Sequence, residues 1–76
     1  MKVHAATVEH KHGSNLHLAT TAEGLERQLF AYVESWWRDE MDDKPMPDDE
    51  AQAIRDYFDT VEDEYLTRFG EEEVED

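Results

Sequence analysis

Residues 3–20 read VHAATVEHKHGSNLHLAT. Two runs, 3–10 and 14–20, alternate apolar and polar side chains around Lys11-His12-Gly13. Alternation with a period of two marks a half-buried strand, and a glycine-bearing gap between two such runs marks a hairpin. Lys11-His12-Gly13 fits a three-residue loop with Gly13 at the position that needs a left-handed backbone. In that register Val8 faces Leu16 and Ala6 faces Leu18. His4, Ala6, Val8, Leu16, Leu18 and Thr20 then point to the core. A two-residue loop at Gly13-Ser14 instead sets Val3, Ala5 and Thr7 beside Leu16 and Leu18. The first register is preferred because it pairs the larger apolar groups.

Beyond the hairpin, Thr20-Thr21-Ala22-Glu23 reads as a capping box, with Thr20 accepting from the Glu23 amide. Ala22, Leu25, Leu29, Val33 and Trp36 then recur at helical spacing, and Phe30 and Trp37 widen the stripe. Trp36 is expected in the core and Trp37 at its rim with Phe30. The helix should run to about Met41 and stop before Asp42-Asp43-Lys44-Pro45-Met46-Pro47, where two prolines end it. Asp48 is expected to cap a second helix, with Asp49 and Glu50 in its first turn. Its apolar face is Ala51, Ile54, Tyr57, Phe58 and Val61. Tyr65 and Phe69 continue that period, so one alternative extends the second helix to Phe69. Tyr65-Leu66-Thr67-Arg68-Phe69 is, however, rich in strand formers, and a lone hairpin is marginal without a third strand. The expected fold class is therefore α+β: a β-hairpin, two helices, and a short C-terminal third strand after an acidic turn at residues 62–64 (ββααβ). Residues 1–70 form one domain, and 71–76 are expected to be an acidic tail.

The chain has 76 residues, with 21 acidic and 7 basic side chains and a formal charge of −14. Residues 1–38 hold four acids and four bases, whereas 39–76 hold 17 acids and only Lys44, Arg55 and Arg68. Adaptation to high salt would coat the whole surface with acid, so a one-sided distribution argues against it. The negative balance also argues against direct nucleic-acid binding and against anionic membranes. With no cysteine there is no disulfide scaffold, iron–sulfur cluster or thiolate zinc site. No apolar run has the length of a membrane helix and no signal-peptide core follows Met1, so a cytoplasmic location is expected.

Asp49, Asp56, Asp59 and Asp63 fall opposite Ile54, Phe58 and Val61 on the second helix. Residues four apart rise about 6 Å along a helix, comparable to the spacing of backbone phosphates. With Asp39, Glu40, Asp42, Asp43, Asp48 and Glu50 they are expected to form a continuous acidic band at the corner between the helices. Like charges at this spacing oppose helix formation by a few tenths of a kcal/mol each, so their retention points to a use for the field. Trp37, next to the band, is the candidate aromatic anchor. His4, His10, His12 and His17 cluster in the hairpin, but their spacing matches no zinc signature and their parity does not put three on one face. Residues 39–49 lack the glycine and alternation of a calcium loop. No nucleophile elbow, phosphate loop or HExxH helix is present, and neither an enzyme nor a cofactor is expected.

The run at 10–37, HKHGSNLHLATTAEGLERQLFAYVESWW, with the proline-bearing acidic linker and AIRDYFDTVEDEYLT at 53–67, resembles small uncharacterised proteins of bacterial phages and mobile elements. That resemblance implies a strand–strand–helix–helix–strand unit and no catalytic residues. Size and acidity are similar, in composition only, to DNA-mimic anti-CRISPR and anti-restriction inhibitors. The expectation is an inhibitor whose acidic surface occupies the DNA/RNA-binding groove of a bacterial defence nuclease or CRISPR complex. The alternative is an acidic antitoxin, adaptor or regulator that binds a basic protein. The partner is expected to be a basic nucleic-acid-binding protein or complex, and the chain itself a monomer or weak homodimer.

Overall fold

The first strand, β1 (Lys2–His10), is the centre of a three-stranded antiparallel sheet. It pairs on one side with β2 (Gly13–Ala19) and on the other with the C-terminal strand β3 (Tyr65–Glu73). Between β2 and β3 the chain forms two helices, α1 (Ala22–Met41) and α2 (Glu50–Thr60). This is the computed structural model of the chain, and it describes residues 1–73. The order ββααβ is the expected α+β fold, with the third strand in place of a longer second helix. That strand continues to Glu73, so Glu71, Glu72 and Glu73 belong to the sheet and not to a tail. The rest of the expected tail, 74–76, lies outside the described residues.

The hairpin register differs from the preferred one. His10 pairs with Gly13, and the loop is Lys11-His12. Thr7 then opposes Leu16, and Ala5 opposes Leu18. Neither Lys11 nor His12 takes a positive φ, and Gly13 absorbs the mismatch in twist at φ 133°. The His12 amide is held by His10 Nδ1 at 3.2 Å. On β1 the inner face is His4, Ala6 and Val8, as expected. On β2 it is Asn15, His17 and Ala19, and Leu16 and Leu18 are on the bare outer face, 62% and 51% exposed. This register suits the close approach of α1. A Cβ on Gly24 would sit 3.3 Å from the Ala19 methyl and 3.0 Å from Thr21 Oγ1, leaving no space for a leucine beneath that turn.

Both helix caps fall one residue later than expected. Thr21, not Thr20, accepts from the Gly24 amide at 3.0 Å. Asp49, not Asp48, accepts from the Ala51 amide at 3.0 Å. The core consists of Ala6 and Val8 from the sheet, Leu25, Leu29, Val33, Trp37 and Met41 from α1, and Ala53, Ile54, Tyr57 and Val61 from α2 and its end. Ala51, expected on the apolar face, is exposed, and Ala53 takes its place. The narrowest dimension is 16 Å, enough for one sheet and one helical layer.

The helices do not form the corner that the proline linker suggested. Their N-terminal turns (Ala22, Glu23, Glu26 with Asp49, Glu50, Ala51) border one groove. Their C-terminal turns (Trp37, Met41 with Asp56, Asp59, Thr60) border another cleft, together with Lys44 and Pro45. The two helices therefore run in the same sense, and residues 42–49 double back along them. Asp42 starts the reversal at φ 57°, and the Lys44 amide then donates to the Met41 carbonyl at 3.2 Å. A stiff, extended segment suits this return path better than a tight turn would.

Candidate partner-binding surface

The returning linker decides which tryptophan is buried. Trp37 is 8% exposed, and its indole N–H donates to the Lys44 carbonyl at 2.7 Å. Its ring also packs on Tyr57, with centroids 6.4 Å apart. Trp36 is 43% exposed. The expectation is thus reversed: Trp37 is occupied inside the fold and cannot serve as an exposed anchor, and Trp36 is the free indole beside the acidic residues.

Doubling back also splits the expected acidic band in two. Asp48 and Asp49 lie near the N-termini of the helices, with Glu23 and Glu50. There a carboxylate is favoured by the helix dipole, and Asp49 is itself the cap. These residues have an ordinary structural explanation. Asp39, Glu40, Asp42, Asp43, Asp56, Asp59 and Asp63 lie at or just beyond the C-terminal ends, where the dipoles of both helices are already negative. A carboxylate in the last turn costs about 0.3–1 kcal/mol at low salt, a cost that bears on Asp39, Glu40 and Asp59 and fades for Asp56, a turn further in. No basic residue occupies the last turn of α2. Residues 38–44 and 56–64 together hold nine carboxylates against Arg38 and Lys44, which is half of the net charge.

Among the described residues, the ion pairs are at the sheet: Met1–Glu73 at 3.2 Å, Lys2–Glu71 at 3.4 Å, and Arg68–Glu26, with His4 Nε2 3.8 Å from Glu71. None involves the nine candidate carboxylates. Asp56 is half-buried and accepts from Gln52 Nε2 at 2.7 Å, and Glu40 is half-buried. Asp39, Asp42, Asp43, Asp59 and Asp63 are exposed. The acidic surface is therefore a pole at one end of the helix pair, with Trp36 as the nearby exposed aromatic.

A structural carboxylate hides among these acids. Glu64, in the acidic turn, is 8% exposed and accepts from Tyr57 Oη at 3.0 Å and Tyr32 Oη at 2.5 Å. Burial first, and the Glu64 carboxylate second, hold both phenols well above the ordinary tyrosine value. Tyr32 continues the aromatic cluster to Phe58, His10 and His17, with centroids 6.3–6.5 Å away. Glu64 thus ties the start of β3 to both helices. Composition alone cannot separate it from its solvated neighbours; the signal is a pair of tyrosines on two helices whose hydroxyls both need an acceptor.

The larger groove, about 970 Å³, runs between α2, the start of α1 and β3. Ile54, Phe58 and Leu66 give it an apolar lining, and Arg27, Arg55 and Arg68 stand among its carboxylates. Among the described residues, no three His, Asp or Glu side chains converge to hold a metal ion, the hairpin histidines included. Among the described residues, no helix is long and apolar enough to cross a membrane.

No protein-family model matches the chain, and neither a curated protein nor a solved structure is significantly similar to it. These comparisons do not bear on the expected likeness to phage and mobile-element proteins.

Proposed function

We propose that this chain is a non-enzymatic inhibitor that acts by nucleic-acid mimicry, its acidic pole occupying the DNA- or RNA-binding groove of a bacterial defence nuclease or CRISPR complex. Such a target would place it in the cytoplasm. One observation carries the proposal. Among the described residues, seven carboxylates gather at or near the negative ends of two helices running in the same sense, and none of them is in an ion pair. This arrangement lowers the stability of the fold, and its physical return is a concentrated negative field. Such a field steers a basic groove at high rate and competes for the sites that otherwise bind phosphates. Trp36 supplies apolar contact at the edge of the pole.

The test is competition. A mimic must be displaced from its target by short duplex DNA or RNA, and its affinity must fall steeply with salt. Charge reversal at the exposed Asp43, Asp59 and Asp63 should abolish binding without loss of fold, whereas lysine at Asp42 would strain the φ 57° backbone there. Asp56 is a poorer choice, because lysine there would strand the Gln52 amide.

A second reading, an acidic antitoxin, adaptor or regulator, is favoured by the groove. Its apolar lining and three arginines suit a peptide of mixed character better than they suit a polyanion mimic. An adaptor would bind its target in the presence of saturating duplex, whereas a mimic would not.

A further inference from the structure

We propose that two copies of this chain form a two-fold dimer through β2, whose strands pair antiparallel about Leu16 and join the two sheets into one of six strands. This inference does not depend on mimicry, and it assigns a use to the neutral half of the molecule.

The two edges of the sheet are not equivalent. β3 carries Arg68, Glu71, Glu72 and Glu73, and its register against β1 slips at Phe69, between Arg68 and Gly70. Charges and bulges of this kind are the usual guards against strand addition. β2, GSNLHLA, has no formal charge, no proline and no slip in register. It is the unguarded edge.

The peptide groups on that edge are accessible and in phase. The two-residue loop is closed by the hydrogen-bonded pair His10–Gly13, and such pairs alternate along an antiparallel ladder. Asn15, His17 and Ala19 therefore direct their backbone groups to β1, and Ser14, Leu16 and Leu18 direct theirs outward. The Leu18 carbonyl confirms the phase, because it accepts from the Gln28 side chain at 2.7 Å, not from β1. Its second lone pair remains free.

The edge is also complementary to itself. Antiparallel pairing about Leu16 sets Leu16 against Leu16 of the second copy and Ser14 against Leu18 of the second copy. Every outward amide and carbonyl then has a partner. The exposed leucines meet across the seam on the outer face, where a directly opposed apolar pair adds about 0.2–1 kcal/mol.

Charge permits this approach and discourages others. Two chains of −14 repel wherever acidic surfaces meet. The large groove that α2 borders includes Tyr65, Leu66 and Arg68 of β3 and no residue of β2, so α2 lies across the sheet from this edge. α1 runs from Gly24 beside Ala19 to Tyr32 beside His10 and His17, so the acidic pole lies toward the hairpin tip. Antiparallel pairing sends the two tips, and with them the two poles, to opposite ends. Across two sheets they are separated by more than the Debye length of about 8 Å at physiological ionic strength.

The experiment measures mass against concentration by sedimentation equilibrium, at physiological ionic strength and with no partner added. The wild-type chain should rise from one-chain to two-chain mass, and the Leu16 amide should exchange hydrogen more slowly in the concentrated sample. Leu16→Lys places like charges at the two-fold axis and should weaken the dimer at least tenfold with an unchanged far-UV spectrum. Leu16→Pro removes only an outward donor and should do the same; if it unfolds, Leu16→Lys decides alone. Tyr65→Ser with Phe69→Ser should leave the dimer intact. A one-chain mass at every concentration overturns the proposal. So does a dimer that survives Leu16→Lys, or one lost in Tyr65→Ser/Phe69→Ser, which would mean that the sheets stack face to face.

Discussion

Trp37 and Lys44, seven residues apart, are joined by a 2.7 Å hydrogen bond from the indole to the backbone carbonyl. Through it the linker is held against the last turns of the helices, and the acidic pole is assembled around the same point. Removing the bond while keeping an aromatic ring, as in Trp37→Phe, should cost about 1–2 kcal/mol. Trp37→Ala should cost about 3–5 kcal/mol. Trp36→Ala should stay within about 0.5 kcal/mol in urea unfolding, because that ring is exposed. Equal losses for the two tryptophans would mean that the linker does not fold back as described.

The hydroxyls of Tyr32 and Tyr57, both on the Glu64 carboxylate, predict an alkaline limit to stability. Their phenols are raised in the folded chain, whereas in the unfolded chain they ionise near pH 10. Above that pH the unfolded state binds fewer protons than the folded one, so stability falls as pH rises. The contribution is complete below about pH 10 and is lost progressively above it. Measured in a Tyr65→Phe background, tyrosinate absorbance should appear only together with unfolding. In Tyr32→Phe/Tyr57→Phe the alkaline loss should be much smaller.

Glu64→Leu removes the acceptor of both hydroxyls and leaves two orphaned donors, one of them fully buried. A loss of about 2–4 kcal/mol is expected, larger than that of Glu62→Leu, which is exposed. Thermal melts of the two variants at neutral pH check it.

The acids at the pole should behave as a burden on the fold. Asp43→Asn and Asp59→Asn each relieve a carboxylate at a negative helix end and should raise stability by about 0.3–1 kcal/mol at low salt, with the gain shrinking as salt is added. Asp49→Ala removes the α2 cap and should cost about 1 kcal/mol, whereas Asp48→Ala should be nearly neutral. Destabilisation by Asp43→Asn and Asp59→Asn would show these carboxylates to be structural.

The element order was legible in the sequence because periodicity and turn chemistry are local. The strand at Tyr65 could be told from a helix by its β-branched and aromatic content and by the need of a hairpin for a third strand. Three features were not legible, and each depends on something distant. The hairpin register goes with the close approach of α1 to Ala19 at Gly24, which local pairing of Val8 with Leu16 does not contain. Trp36 and Trp37 differ by 100° of helical phase, and the choice between them waits on where the linker goes. The candidate carboxylates were identified one by one, but their division into Asp48 and Asp49 at one end and a pole at the other follows from the parallel sense of the helices. A short proline-bearing linker does not reveal that sense.

The acidic pole is proposed to occupy a nucleic-acid groove. The direct measurement is inhibition of DNA cleavage by a panel of purified restriction nucleases and CRISPR effectors, comparing the wild-type chain with Asp43→Lys/Asp59→Lys/Asp63→Lys. The account predicts that at least one enzyme is inhibited in competition with its duplex, less so as salt rises, and that the charge-reversed chain is folded and inactive. It is contradicted if no enzyme is inhibited, or if inhibition is indifferent to duplex concentration and survives the three reversals.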